Sequence, residues 1–130
     1  MAVQCGHVYC LYFALAAKDK LLVPAYVMAD GRVRCFVINT DLSPLLQKNP
    51  ELQRHAFQLS LSANTAFLKH DSWLCCNEVI GGWTAAKIDA NANCHRGPMD
   101  GATIAAVKLV ISTSALYSQK EKDLILAQWP

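Results

Sequence analysis

The sequence predicts a small α+β domain that is mainly β, a partly open barrel with a helical C-terminal segment, and three observations carry that expectation. The chain has 130 residues, close to the size of a single domain. Its first two thirds alternate short apolar runs with turn residues, and its C-terminal quarter changes to a helical period. Residues of the AVILMFWYC set make up 53% of the chain and charged residues 17%, enough apolar surface for one core and too much for a disordered segment. One domain spanning residues 1–130 follows, with its helical segment at about 100–128.

The first third reads as three strands. Residues 8–16 form an apolar run, Lys18-Asp19-Lys20 supplies a polar turn, and residues 21–28 resume an extended pattern in which Pro24 indicates an edge position or a bulge. Asp30-Gly31 suits the positive φ angles of a tight hairpin. Residues 34–39 are the partner strand, apolar on both faces and therefore central. From Asp41 to Arg54 a polar surface excursion holds a short helical turn after Ser43.

Residues 56–62 alternate as a half-buried strand. Two further short strands are expected at Ser72–Cys76 and Trp83–Ile88, with Gly81-Gly82 as the turn between them. Asp89 to Gly97 reads as loop. Asp100 caps a helix over 101–112, and a last helix over 118–128 covers the barrel with Leu124, Ile125 and Leu126.

Twelve Lys and Arg against ten Asp and Glu give a net charge of +2, with the basic residues scattered and no block of the kind that marks a nucleic-acid footprint. The run from Tyr9 to Ala17 lacks a preceding Lys or Arg, so it does not read as an export signal, and it is too short to cross a membrane. The six cysteines are accordingly expected to be reduced core residues in a cytoplasmic protein. Cys5-Gly6-His7 with Cys10, and Cys75-Cys76 with Cys94-His95, lack the paired spacings of a structural zinc site.

Lys69-His70-Asp71-Ser72 is the most distinctive polar stretch, set between apolar neighbours where a loop enters a strand. The imidazole of His70 is of a type suited to general acid or base work, while Asp71 and Ser72 can equally cap a turn. Serine hydrolysis does not fit, because adjacent His, Asp and Ser diverge on an extended chain and no nucleophile elbow is present. RNA cleavage through the 2′-hydroxyl needs only a base, an acid and a cation for the phosphorane. His7, His70 and His95 offer proton transfer, Lys20, Arg34, Lys69 and Arg96 offer charge, and Thr40 offers a hydroxyl.

The hairpin from Leu22-Val23-Pro24-Ala25-Tyr26-Val27 to Arg34-Cys35-Phe36-Val37-Ile38-Asn39-Thr40, then Phe67 to Glu78 with its Asp71-Ser72, then the helix-bearing tail, resembles the MazF/PemK toxins of toxin–antitoxin systems, in outline over residues 8–126. The resemblance implies a small SH3-like barrel with a C-terminal helix, usually a homodimer. It implies cleavage of single-stranded mRNA with no metal and no cofactor, and neutralisation by an antitoxin peptide laid across the RNA groove. Thr40 matches the family's active-site threonine, and Asp71-Ser72 its usual Asp-Ser before a strand. Leu22-Val23-Pro24 stands where the family carries Arg-Pro, so the charge at the cleavage point falls to Lys20 or Arg34.

On this reading Thr40, His70 and Lys20 are the catalytic candidates, and Arg34, Lys69, Asp71, Ser72 and Arg96 bind the RNA. The alternative expectation is a catalytically inactive SH3-like interaction module, of phage or mobile-element origin, holding a peptide or nucleic acid in the same groove. A third is a redox or metal sensor built on Cys5, Cys10 and Cys94.

Overall fold

A computed structural model describes residues 2–91 and 93–130. The first hairpin joins β1 (His7–Phe13) to β2 (Lys18–Val27), in a register running from Tyr9 opposite Leu22 to Phe13 opposite Lys18. Its tip is a 3₁₀ turn at Ala14–Ala16 closed by Ala17 at φ 52°. The Lys18-Asp19-Lys20 stretch expected as the turn therefore belongs to β2. Burial of Tyr9, Leu11 and Leu22 on one face sets that register, and a slip of one residue would turn all three outward.

Asp30-Gly31 makes the expected second hairpin, with Gly31 at φ 90° and the Met28 N–H donating to the Arg32 carbonyl at 2.8 Å. It leads into β3 (Arg32–Asn39), which lies between β2 and a long strand β5 (Ser72–Thr84). Pro24 sits in an interior strand, tolerated because the β2–β3 register shifts between Pro24 and Tyr26; the bulge is the observed solution and the edge position is not. The excursion after Asp41 holds two short helices, α1 (Pro44–Lys48), capped by the Ser43 hydroxyl, and α2 (Pro50–Gln53), capped by Asn49. A four-residue strand β4 (Ala56–Leu59) then pairs with the start of β5, shorter than the expected 56–62.

The two short strands expected around Gly81-Gly82 are one strand. β5 runs through both glycines as a bulge, with Val33 opposite Trp83 and Cys35 opposite Ile80, so that Arg34 faces two residues. The residues after it form a helix, α3 (Ala85–Ala90), because the Thr84 hydroxyl accepts from the Lys87 N–H and two alanines follow that cap. The stretch expected as loop up to Gly97 contributes β6 (His95–Pro98), which pairs with β1. Ala92, within that stretch, lies outside the described residues. Helices α4 (Gly101–Ser112) and α5 (Gln119–Gln128) begin at Asp100 and Ser118, whose side chains accept from the Thr103 and Glu121 N–H groups.

The sheet is antiparallel in the order β4-β5-β3-β2-β1-β6, a curled half-barrel that stays open between β4 and β6. Its helix-covered face packs Val8, Val23, Phe36, Ile38 and Leu74 against Val107 and Ile111 of α4 and Ile125 of α5. The opposite face carries a smaller cluster, Tyr9, Leu11, Leu22, Val33 and Cys35, closed over its middle by Ile88 of α3. Gln128 fixes α5 to the sheet: its amide accepts from the Val27 N–H at 2.8 Å and donates to the Val27 carbonyl at 3.0 Å. Among the described residues no helix is long and apolar enough to cross a membrane.

Candidate functional site

A recess of about 670 Å³ opens where the C-terminal end of β3 meets the start of β2. Lys18, Lys20, Asn39, Thr40, Asn77 and Glu78 supply most of its polar lining. Strand pairing assembles it. Leu22 lies opposite Val37, so Lys20 comes alongside Asn39 two residues further on, on the face of the smaller cluster. The Lys20 ammonium donates to Asn39 Oδ1 at 2.6 Å, and the Asn39 amide turns its nitrogen toward the Cys75 sulfur at 3.6 Å. Burial, with Lys18 adding like charge, lowers the Lys20 pKa from its ordinary 10.5, and Cys75 opposes the shift.

Thr40 and Lys20, two of the three catalytic candidates, thus share one recess, and His70 lies elsewhere. It opens with Lys69, Ser72 and Arg96 on a smaller recess of about 290 Å³ that also holds Cys10 and Leu21. Leu21 and Lys20 are neighbours in an extended strand, so their side chains leave opposite faces of the sheet. The single groove expected to unite Thr40 with His70 is therefore divided by the sheet itself.

Asp71 and Ser72 serve local structure. Asp71 Oδ1 accepts from the Leu61 N–H at 2.8 Å, and the buried Ser72 hydroxyl lies 3.3 Å from both the His70 carbonyl and its Nδ1. Arg96 is exposed and bonds to the Asn93 carbonyl. Arg34 opens on a third recess beside the β5 bulge.

His7 and His95, also weighed for proton transfer, face one another across β1 and β6, with His7 Nδ1 2.9 Å from His95 Nε2 and the rings stacked at 5.1 Å. A contact of that length holds one proton between two imidazoles. Burial, then the charge of His95, lowers the His7 pKa. All six cysteines are free, and burial pushes the Cys5 thiol up to about 11, away from the thiolate form a redox sensor uses. Among the described residues no group of three or more His, Cys, Asp or Glu is placed to hold a metal ion.

Sequence reasoning missed Asn39, Asn77 and Glu78. The polar run Asn39-Thr40-Asp41 at a strand end was a usable signal for Asn39, whereas Asn77 and Glu78 fell in the gap left by reading β5 as two strands. In chemical terms the recess offers an ammonium with reduced basicity, a hydroxyl and a carboxylate, which are a proton donor, a hydrogen-bond donor and a base. No family model matches the chain, and no curated protein matches it.

Proposed function

We propose that the chain is a toxin-like RNA endonuclease of the MazF/PemK kind, acting on single-stranded RNA in the Lys20–Thr40 recess. The observation that carries this reading is the half-buried Lys20, held by Asn39 in a polar recess whose lining also includes Thr40 and Glu78. Glu78 takes the proton of an RNA 2′-hydroxyl, the 2′ oxygen attacks the adjacent phosphorus, and the bond to the 5′ oxygen breaks. Lys20, more acidic than an exposed lysine, returns a proton to that leaving oxygen, and the Thr40 hydroxyl donates to a non-bridging oxygen as charge builds. The products are a 2′,3′-cyclic phosphate and a 5′-hydroxyl. A cytoplasmic homodimer restrained by an antitoxin peptide belongs to the same reading.

The test is an RNA cleavage assay in EDTA. Cuts ending in cyclic phosphate are expected, reduced by about 100-fold or more in Lys20→Ala and Thr40→Ala. His70→Ala, on the other face, is expected to cut normally. Intact RNA at high protein concentration rejects the proposal.

A second reading, an SH3-like interaction module without activity, draws on one observation: no imidazole is among the residues lining this recess. It expects RNA or peptide to be retained uncut in the same assay.

A further inference from the structure

Lys69-His70, the polar stretch that stands out in the sequence, has no part in the Lys20–Thr40 recess. It lines a recess of its own, about 290 Å³, inside the curl of the sheet. Strands that are not neighbours meet there. Cys10 of β1 lies opposite Leu21 of β2, Ser72 comes from the start of β5, and Arg96 comes from β6, so both margins of the half-barrel close on one space. The mouth of a barrel is a place where small ligands bind.

These residues leave the sheet on the side that carries α4 and α5. Leu21 packs against the cluster that holds Val23, and Ser72 lies opposite Leu59, which is buried in the same cluster. Arg96 reaches that side through a bulge: Val8 faces Gly97 and Tyr9 faces His95, so Arg96 is an extra residue with no partner on β1. His95 turns to Tyr9, ring centroids 5.1 Å apart, on the face of the smaller cluster, whereas Arg96 opens on the recess with Leu21.

The floor is apolar. Leu68 belongs to the main core, Leu21 and Phe67 pack against it, and the half-buried Cys10 completes the surface. The rim is cationic. Lys69, His70 and Arg96 line it, none of them forms an ion pair, and no Asp or Glu shares the lining among the described residues. Asp71 is turned away, its Oδ1 accepting from the Leu61 N–H at 2.8 Å, and Asp19, next along the same face of β2, stays outside the lining. His70 is held in place. Its Nδ1 lies 3.1 Å from the Asp71 carbonyl, which only accepts, so Nδ1 carries the hydrogen and Nε2 is left free. Arg96 gives one N–H to the Asn93 carbonyl and keeps the others for a ligand.

Floor and rim together narrow the ligand. A cationic rim calls for an anion, yet a phosphate, hydrated on every side, gains nothing from Leu21 and Phe67 beneath it. An apolar body charged at one end satisfies both parts, because its apolar surface leaves water on the floor while its carboxylate meets the rim. The volume holds roughly ten non-hydrogen atoms, which limits the body to a single ring or a short chain.

We infer that this recess binds a compact apolar monocarboxylate, with the carboxylate among Lys69, His70 and Arg96 and the apolar body on Leu21, Phe67 and Leu68. None of these residues enters the RNA cleavage assigned to the Lys20–Thr40 recess, so the two stand or fall separately.

The experiment follows the Leu21 and Leu68 methyl resonances of ¹³C-labelled protein, at constant ionic strength, during titration with benzoate, hexanoate, benzamide, acetate and inorganic phosphate. Benzoate or hexanoate is expected to move both residues at millimolar concentration, and the tighter of the two tells an aromatic ligand from an aliphatic one. Benzamide keeps the ring without the charge, and is expected to bind about tenfold more weakly than benzoate. Acetate keeps the charge without the body, and is expected to be weaker again by a similar factor. Lys69→Gln and Arg96→Gln alter exposed side chains and are expected to leave circular dichroism unchanged. Each is expected to weaken benzoate about threefold, and both together about tenfold, with benzamide unaffected.

No movement of Leu21 or Leu68 with millimolar benzoate or hexanoate overturns the inference. So does benzamide, acetate or phosphate binding as tightly as benzoate, or benzoate binding that is indifferent to the double variant. A short single-stranded RNA that moves the same methyls when benzoate does not would assign the cationic rim to a nucleic acid and overturn it as well.

Discussion

Along β2 the two faces of one sheet are finished differently. Leu21 and Val23 look toward α4 and α5, where Val107, Ile111 and Ile125 are fully buried over Phe36. Lys20 and Leu22 look the other way, where α3 covers only the middle: Leu22 is sealed, and Lys20 opens on a recess. Polar chemistry gathers where the helical cover runs out. An ammonium beside a strand end keeps enough water to stay soluble and enough burial to be perturbed, a balance that the helix-covered face does not allow.

Phe36→Ala breaks the covered face most severely. Phe36 is fully buried and meets Trp129 edge-on at 5.6 Å, so truncation leaves a cavity among groups fixed on every side. A loss of about 3–5 kcal/mol is expected in urea unfolding. Phe36 is flanked in β3 by Cys35 and Val37, which face the other way, so a variant that keeps its stability would show the two faces to be one loosely packed core.

His55 comes next in expected effect. It is fully buried at the margin of the covered face, with Nδ1 2.8 Å from the Glu51 carbonyl and Nε2 2.7 Å from the Ser114 hydroxyl. His55→Ala orphans both partners and is expected to cost about 1–3 kcal/mol. Burial, with a smaller contribution from the Arg54 charge, holds its pKa below the ordinary 6.5, against the opposing pull of the Glu51 carbonyl. The unfolded chain then binds a proton that the native state refuses. Stability is therefore complete above pH 6.5 and falls as the pH drops toward the native value. His7, lowered in the same direction, adds to the fall. His55→Gln is expected to shrink the acid loss in urea titrations without abolishing it, and an unchanged pH profile would remove His55 from the account.

These contrasts explain which parts of the molecule were legible in its sequence. Asp30-Gly31 and Asp100 act through neighbours within four residues, and each marked its turn or cap correctly. Gly81-Gly82 misled, because glycine signals a bend without saying whether the strand ends or bulges, and that choice rests with Arg34, far away on β3. β6 was missed for a similar reason: His95-Arg96-Gly97-Pro98 has little strand character, and pairing with β1 makes it one. The barrel class survived these errors, since it needs only several strands and a helical cover. The site did not, since one step along β2 decides whether a side chain meets Thr40 or His70.

The open face can be sharpened by chemistry that stability does not report. A lowered Lys20 pKa leaves more free amine at a given pH than an exposed lysine has. Brief acylation of the native protein, followed by peptide mass spectrometry, is expected to modify Lys20 ahead of Lys18, its exposed neighbour two residues away on the same strand. Asn39→Ala removes the acceptor at 2.6 Å and is expected to raise that reactivity further, because the hydrogen bond favours the charged form. Lys20 labelled no faster than Lys18 would take away the acid assigned to the cleavage step.

The smallest effect belongs where neither face reaches. Leu15, 89% exposed at the tip of the β1–β2 hairpin, packs against nothing that folding must fill. Leu15→Asp is expected to change stability by no more than about 0.5 kcal/mol. Leu22→Asp makes the same chemical change inside the smaller cluster, where a carboxylate meets Tyr9, Val33 and Cys35 without a partner, and is expected to prevent folding. A large loss at Leu15 in dilute solution would mean that the hairpin tip is covered by another surface, and its exposure could then no longer serve as the baseline against which the two faces are compared.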